Sequence, residues 1–183
     1  DERRAGGAPI FAMVIRRIHE ILDDCSVEVL IPDFKGSVEA LKIVMDARPE
    51  ILNHNVESVP RLFKSVQPQS NYANTKATLV NAKKLLPTGL TKSGIMVGLG
   101  EEMDEVKEVI RDLRSWDVDI LTIGQYLQPS KKHLPIARYY TVEEFKELED
   151  FSKNLGFPWV ESGPLVRSSY HAAEQVRGLS EGF

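Results

Sequence analysis

Short apolar runs rich in β-branched residues alternate along the chain with longer segments whose apolar residues recur at helical spacing. The runs are VEVLIP (27–32), EILNHNV (50–56), TKSGIMVGL (91–99) and VDILTIGQYL (118–127), with FPWV (157–160) as a possible fifth. A parallel pair of strands needs a crossover of about a dozen residues or more, which these intervening segments supply. The alternation therefore predicts an α/β fold with a parallel sheet.

The helical pattern is clearest near the start of the chain. The spacing predicts a helix over 11–24, with one apolar face made of Phe11, Val14, Ile15, Ile18, Ile21 and Leu22. The same pattern predicts further helices in 38–47, 80–86, 103–116 and 142–156.

Strands as continuously apolar as GIMVGL indicate a sheet that is covered on its other face. A closed eight-strand barrel takes about 250 residues, so 183 residues are too few for one. We expect a partial, TIM-like (βα) barrel containing the later four strands and their helices, entered on a helix and lacking its earliest strands. One domain over 1–183 is expected, because no Gly/Ser linker divides it, with a C-terminal extension over about 157–183.

Composition narrows the class of protein. The net charge of −4 and the absence of a basic run argue against a nucleic-acid partner. No apolar stretch reaches the roughly 20 residues of a membrane span, so we expect a soluble, cytoplasmic protein, most simply a monomer. Cys25 is the single cysteine, which excludes an internal disulfide and an all-cysteine metal site within this chain. The first residue is Asp1 rather than methionine, which suggests a piece of a longer protein.

Polar residues follow the second apolar run. In parallel α/β folds the ligand site lies beyond the carboxyl ends of the strands. Alternation places Asn53, Asn55 and Glu57 on one face and His54 on the other, and Arg61 begins the next helix. The three inward residues are candidates for ligand contact, and a polar network that caps the strand is the alternative.

The third run carries Lys92 and Ser93 at its start and the turn GLG at its end. A phosphate loop is disfavoured, because the third glycine of the dinucleotide fingerprint and the Gly-Lys-Ser/Thr of a P-loop are absent. Glu101, Glu102 and Asp104 already complement the positive end of the following helix. Backbone approach to an uncharged ligand, or simple turn geometry, is favoured.

The fourth run ends with Gln125 and Tyr126, which can hydrogen-bond and stack on a purine or can be ordinary strand-end residues. The long loop that follows, 128–140, is locally basic, since it contains Lys131, Lys132, His133 and Arg138. Solvation is the usual role of such a cluster, and docking of an acidic carrier domain is the sharper alternative.

Two segments near the ends of the chain are also candidates. Gly6 and Gly7 precede the first helix, either as a flexible entry or as exposed backbone that holds the ammonium and carboxylate of a ligand. RSSYHA (167–172) places Ser168 and Ser169 beside Tyr170 and His171. No G-x-S-x-G elbow surrounds these serines, so a serine hydrolase is poorly supported. Helix capping by one of these serines is the simplest interpretation.

Six stretches, taken in order, resemble one family closely: AGGAPIF, EVLIPDFKG, NHNVESVPRLF, TKSGIMVGLGE, TIGQYLQPSKKHLP and GPLVRSSYHA. They are similar to lipoyl synthase, a radical S-adenosylmethionine (SAM) family, over nearly the whole chain. The resemblance implies a six-strand partial barrel, SAM and two 4Fe-4S clusters. It also implies insertion of two sulfurs into an octanoyl chain on a lysine of a lipoyl carrier domain or H protein. A deoxyadenosyl radical from SAM would abstract the hydrogens, and one cluster would donate the sulfurs.

The resemblance also suggests roles for particular residues. Ser169 would be the serine ligand of the sulfur-donating cluster, a harder and more exchangeable ligand than a thiolate. Gly6 and Gly7 would hold the methionine part of SAM, and Arg167 and Arg61 would lie near cluster or substrate. The candidates for the remaining SAM contacts are Asn55, Glu57, Lys92, Ser93 and Gln125.

This chain departs from the family pattern in places. Both cysteine triplets of the family are absent, and Cys25 matches none of those cysteines. Four positions of the family motifs carry different residues here: Ala5, Ile10, Gln67 and Gln69. The resemblance therefore implies a chain that is inactive alone, or a non-catalytic, carrier-binding remnant. Another barrel enzyme acting on a small anion is a third possibility, which leaves the RSSY segment unexplained.

Overall fold

A five-stranded parallel sheet in the order β1-β2-β3-β4-β5 organises the chain, in a computed structural model that describes residues 6–169 and residue 174. Its strands are β1 (Glu28–Leu30), β2 (Ile51–Asn53), β3 (Leu90–Val97), β4 (Ile120–Gln125) and β5 (Trp159–Gly163). The helices are α1 (Ala8–Ile21), α2 (Val38–Met45), α3 (Phe63–Val66), α4 (Tyr72–Leu85), α5 (Met103–Ser115) and α6 (Val142–Asn154), with 3-10 turns at Phe34–Gly36 and Pro60–Leu62.

The strand order confirms the predicted parallel α/β fold and the possible fifth strand near 157–160, which the expected four barrel strands left out. β5 pairs with β4 from Ile120↔Trp159 to Gly124↔Gly163, so the described part of the sheet has five strands. β5 is only half-buried because it lies at the edge of the sheet. The start of the segment that was expected to extend beyond the sheet therefore belongs to the sheet.

Helix α1 differs from its prediction in its bounds and in its buried face. It begins at Ala8 and ends at Ile21, and it buries Ala8, Ala12 and Ile15. Val14, Ile21 and Leu22, which we had placed on the buried face, are exposed. Small alanine side chains let the helix pack closely, and apolar spacing alone does not reveal which stripe is covered.

The two faces of the sheet have different environments. Side chains on the outer face pack against α4, α5 and α6 in the largest core, whose strand members include Ile95, Val97, Leu121 and Ile123. On the inner face, Ile51 and Ile120 form a small apolar layer near the amino ends of the strands, partly covered by Leu90 and Trp159. Above that layer the inner face becomes polar, which directs attention to the carboxyl ends of the strands.

Within the part of the chain that the structure describes, no helix combines the length and the apolar character needed to span a bilayer.

Candidate functional site

Two adjacent cavities open at the carboxyl ends of the strands. The first, of about 670 Å³, lies between the tips of β3 and β4, residues 65–67, residues 126–134 and residues 166–168. The second, of about 680 Å³, lies between Gly6, residues 30–35 and residues 67–70. Both are lined by Asn55, Glu57 and Gln67, so they share a wall. This is the edge where ligands bind in parallel α/β folds.

Asn55 and Glu57 lie together on that shared wall. Glu57 has a positive φ of 63°, and its backbone bridges to β3 through Gly94 O (3.0 Å) and Met96 N (2.9 Å). Burial raises the pKa of Glu57, while a hydrogen bond with the Asn55 side chain opposes that rise. Asn55 Oδ1 is buried without a hydrogen-bond donor among the described residues. This pair can therefore accept hydrogen bonds from a polar ligand group such as a hydroxyl.

Two glycines in the strands keep the first cavity open, and the sequence analysis did not single them out. A Cβ on Gly94 would lie 2.7 Å from Thr122 Oγ1 and 2.9 Å from Asn55 Oδ1. A Cβ on Gly124 would lie 2.5 Å from the carbonyl oxygen of Val166. An isolated glycine inside a strand signals such a close approach, and this signal was available in the sequence.

Lys92 and Ser93 lie deeper than the cavities and line neither of them. Lys92 Nζ is 3.0 Å from Glu28 Oε2, and Asn53 Nδ2 donates to Glu28 Oε1 at 2.8 Å. The Ser93 hydroxyl accepts from the backbone N–H of Val56 at 3.0 Å. These side chains join β1, β2 and β3 below the site, as in the polar-network alternative.

Gln125 lines the first cavity, but its amide holds the following loop in place. Its Oε1 accepts from Tyr140 N at 3.0 Å, and its Nε2 donates to the carbonyl oxygens of Tyr126 and Arg138 at 3.1 Å. The Tyr126 hydroxyl donates to Leu134 O at 2.9 Å. Both residues therefore shape the wall formed by the loop.

Two of the three amides of the GLG turn are not available to a phosphate. Its Gly98 N–H donates to Glu101 Oε1 at 2.6 Å, and Leu99 N–H donates to Glu101 Oε2 at 2.9 Å. A carboxylate from the chain itself occupies the position that an anionic ligand would need, in agreement with the low expectation for phosphate binding.

Two of the three arginines predicted near cluster, substrate or carrier are paired with glutamates. Arg61 bonds to Glu105 in a bidentate geometry at 2.9 and 2.7 Å and donates to Gly100 O. This pairing lowers the pKa of Glu105 to about 2. Arg138 bonds to Glu144 at 2.9 Å, with its guanidinium 3.6 Å from the centre of the Tyr140 ring. Lys131 and Lys132 are exposed, and Lys132 lines the first cavity.

The candidate segments near the two ends of the chain lie at the same edge of the sheet. Gly6 lines the second cavity, and Gly7, with φ of 83°, is the N-cap of α1. Arg167 and Ser168 line the first cavity, and Ser169 follows them with its side chain exposed. The helix that one of these serines was expected to cap would begin at 170–173, outside the described residues. Ser169 as a cluster ligand stays a prediction.

A buried histidine supports the turn beside the second cavity. His54 Nδ1 is 2.9 Å from Ile31 O, and its Nε2 is 3.2 Å from Thr75 Oγ1. Nearby, Asp33 accepts hydrogen bonds from Lys35 N, Ser70 Oγ and Asn74 Nδ2. These contacts hold the Phe34–Gly36 turn, whose three residues all have positive φ.

We expect His54 to make the fold less stable in mildly acidic solution. Burial lowers the pKa of His54 from its ordinary value of 6.5, although the bond to Ile31 and the charge of Asp33 oppose this shift. Stability from this residue is therefore full above pH 6.5 and decreases as the pH falls toward the folded-state pKa, because the unfolded chain binds the proton first. Urea unfolding at several pH values measures this slope, which His54→Gln should flatten. An unchanged slope would contradict the assignment.

The residues described do not fit an iron–sulfur cluster. Cys25 is exposed in the connection between α1 and β1, away from the cavities. Among the residues with described positions, no group of three or more His, Cys, Asp and Glu side chains is arranged to hold a metal ion. A small polar organic ligand fits the trough formed by the two cavities better than a metal ion does.

Comparison with known proteins then decides the family. The sequence profile of the radical SAM superfamily matches residues 7–113, which include α1 and the strands β1 to β3. The chain belongs to the radical SAM superfamily. Membership implies SAM and an iron–sulfur cluster as the characteristic cofactors of this superfamily.

Curated relatives of this radical SAM chain are named lipoyl synthase. The protein of Rubrobacter xylanophilus is 54% identical over 182 residues, covering 100% of this chain and 57% of the relative. That of Koribacter versatilis is 52% identical over 181 residues, covering 99% of this chain and 60% of the relative. The chain therefore spans somewhat more than half of the length of these relatives.

Solved structures agree in fold alone. A radical SAM methyltransferase, TsrM, from Kitasatospora setae, with cobalamin and a 4Fe-4S cluster bound, gives a TM-score of 0.51 at 13% identity, over 70% of this radical SAM chain and 26% of that protein. An aldolase gives a TM-score of 0.53 at 16% identity, over 93% of this chain and 70% of the aldolase. Both matches fit a partial TIM-like barrel.

Proposed function

We propose that this chain is the larger part of a lipoyl synthase, which inserts two sulfur atoms into an octanoyl chain bound to a carrier protein. The observation that carries the proposal is identity above one half to lipoyl synthase along the whole chain, together with an open trough at the strand tips. Two 4Fe-4S clusters, a lipoyl carrier domain or H protein as partner, and a cytoplasmic location belong to the same proposal.

The trough suits SAM, which has an amino-acid end and a nucleoside end. In the proposed pose, the methionine part lies in the second cavity beside Gly6, where the ammonium of Lys35 faces its carboxylate. Asn55 and Glu57, on the wall shared by both cavities, accept hydrogen bonds from the ribose hydroxyls. The largely apolar first cavity then receives the nucleoside end and the reacting part of the alkyl chain.

The cluster chemistry requires residues that this chain lacks. A single cysteine cannot supply the thiolates of one 4Fe-4S cluster, still less of two. We therefore expect the isolated chain to be inactive. Ser169, exposed beside the first cavity, is the one cluster ligand that we propose for this chain. A carrier-binding remnant without catalysis is the alternative, and Cys25 as the single cysteine is the observation that favours it.

A chimeric enzyme tests the proposal. This chain is joined to the part of the Rubrobacter lipoyl synthase that has no counterpart here, reconstituted with iron and sulfide under anaerobic conditions, and assayed for sulfur insertion into an octanoylated carrier domain. We expect an active chimera and an inactive isolated chain. A folded chimera with both clusters but no sulfur insertion would favour the remnant.

The same chimera tests Ser169. We expect Ser169→Ala to abolish sulfur insertion and to change the spectrum of the sulfur-donating cluster. Ser26→Ala, at an exposed serine in the connection between α1 and β1, should retain activity. Undiminished sulfur transfer in Ser169→Ala would remove the ligand assignment without affecting the wider proposal.

A further inference from the structure

The mouth of the first cavity is basic in a protein that is acidic overall. Lys132, on the long loop, and Arg167, after β5, line the cavity and are exposed, and Lys131 is exposed next to Lys132. Glu57, at the inner wall, is the one carboxylate among the lining residues. The net charge of the chain is −4, so the local sign is opposite to that of the whole molecule.

The loop that carries these lysines is held in one conformation. Gln128 Nε2 donates to His133 O at 2.8 Å, and Ser130 Oγ lies 2.9 Å from His133 Nδ1. Near the end of the loop, Ala137 N–H donates to Gly98 O at 2.8 Å. A prearranged loop loses little conformational freedom when a partner binds. This favours a role for the loop lysines in binding a partner over a role in solvation alone.

Two exposed leucines flank the same mouth. Leu127 begins the loop with 46% of its surface exposed, and Leu165, two residues before Arg167, is 77% exposed. Large apolar side chains surrounded by polar residues are typical of protein contact sites. We define the mouth face as Leu127, Lys131, Lys132, Leu165 and Arg167.

We propose that the mouth face docks an acidic carrier domain, with the two leucines as apolar contacts and the three cations as the complementary charge. This inference rests on the proposed function. An acyl chain attached to a carrier can enter the cavity only when the surface around its attachment point lies against the mouth. Arg138 is not part of the docking surface, because Glu144 and the Tyr140 ring hold its guanidinium.

Binding of the isolated chain to an octanoylated lipoyl carrier domain tests the inference without any cluster. Affinity is measured calorimetrically at about 0.01 M and about 0.15 M salt, between which the screening length falls from about 30 to about 8 Å. We expect Lys131→Glu/Lys132→Glu to weaken binding by about tenfold at the lower salt and to flatten the salt dependence. Leu165→Ser should weaken binding at both salt concentrations.

Lys84→Glu is the matched control, since Lys84 is exposed at the carboxyl end of α4, away from the strand tips. It should change the affinity by less than about twofold at the higher salt, because it lies in the last turn of α4, on the side of the sheet where β3 begins, rather than at the strand tips. Equal effects of Lys84→Glu and the double variant would overturn the inference, as would undetectable binding of the unsubstituted chain. If the chimera is active but substitutions in the mouth face leave its affinity for the carrier unchanged, the docking site alone is refuted. If these substitutions weaken binding but the chimera is inactive, the proposed function alone is refuted.

Discussion

Replacing Lys92 with methionine is expected to lower the free energy of unfolding by about 3–5 kcal/mol, the range for removing one partner of a buried ion pair. The Lys92 side chain is 0% exposed, and its ammonium lies 3.0 Å from Glu28, whose side chain is 16% exposed. Glu28 also accepts from Asn53. Removing the ammonium leaves a largely buried carboxylate whose remaining donor, among the described residues, is the Asn53 amide. Methionine keeps most of the volume of the lysine.

Urea unfolding of the purified chain measures this effect, and two further variants show its origin. Lys42→Met removes an exposed pair with Asp46 on α2 and should change stability by about 0.3–0.5 kcal/mol. The double variant Glu28→Gln/Lys92→Met should recover part of the loss, because Glu28 no longer carries an unpaired charge. A change no larger for Lys92→Met than for Lys42→Met would show that the buried pair contributes little.

The Lys92 network also shows where sequence reasoning reached its limit. Alternation correctly placed Asn53 on the inner face of the sheet. It could not distinguish residues that bind a ligand from residues that bind one another, because the partners Glu28 and Lys92 are 64 positions apart. Their contact depends on the register of three strands, which the local pattern does not encode.

The alternation of apolar runs and helices predicted the fold class because each parallel strand is covered by the helix that follows it. The covered stripe of α1 was predicted only in part: Ile15 is buried as expected, and Ala8 and Ala12, which the apolar pattern did not include, form the rest. The resemblance suggested Arg61, and the basic loop suggested Arg138. In the structure they pair with Glu105 and Glu144, each of which is also the third residue of a helix and bonds back to the N-cap. Such glutamates are recognisable in the sequence, and their use as arginine partners is not.

The second large effect is expected from Gly98→Ala, which should destabilise the fold and disturb the first cavity together. Gly98 has φ of +101°, and an added Cβ would lie 2.2 Å from Gln125 Nε2 and 2.6 Å from Arg138 O. The Gln125 amide also holds Tyr140 N, so moving it would release the end of the loop that forms one wall of the cavity. Gly156→Ala provides the matched control, because Gly156 has φ of +85° and nothing within 4 Å of an added Cβ.

The backbone contribution common to both variants is about 1–2 kcal/mol, the penalty for a side chain in the left-handed region. Gly98→Ala should exceed that value by about 1–3 kcal/mol, since the methyl group must displace a hydrogen-bonded amide and a backbone carbonyl. Urea unfolding gives the stability difference, and protease cleavage within 127–137 reports whether the loop has been released. If the two variants are equally stable and their loops are equally resistant to cleavage, contact between the GLG turn and Gln125 does not hold the cavity wall. The opposite result would identify Gln125 as the residue that fixes the loop beside the strand tips.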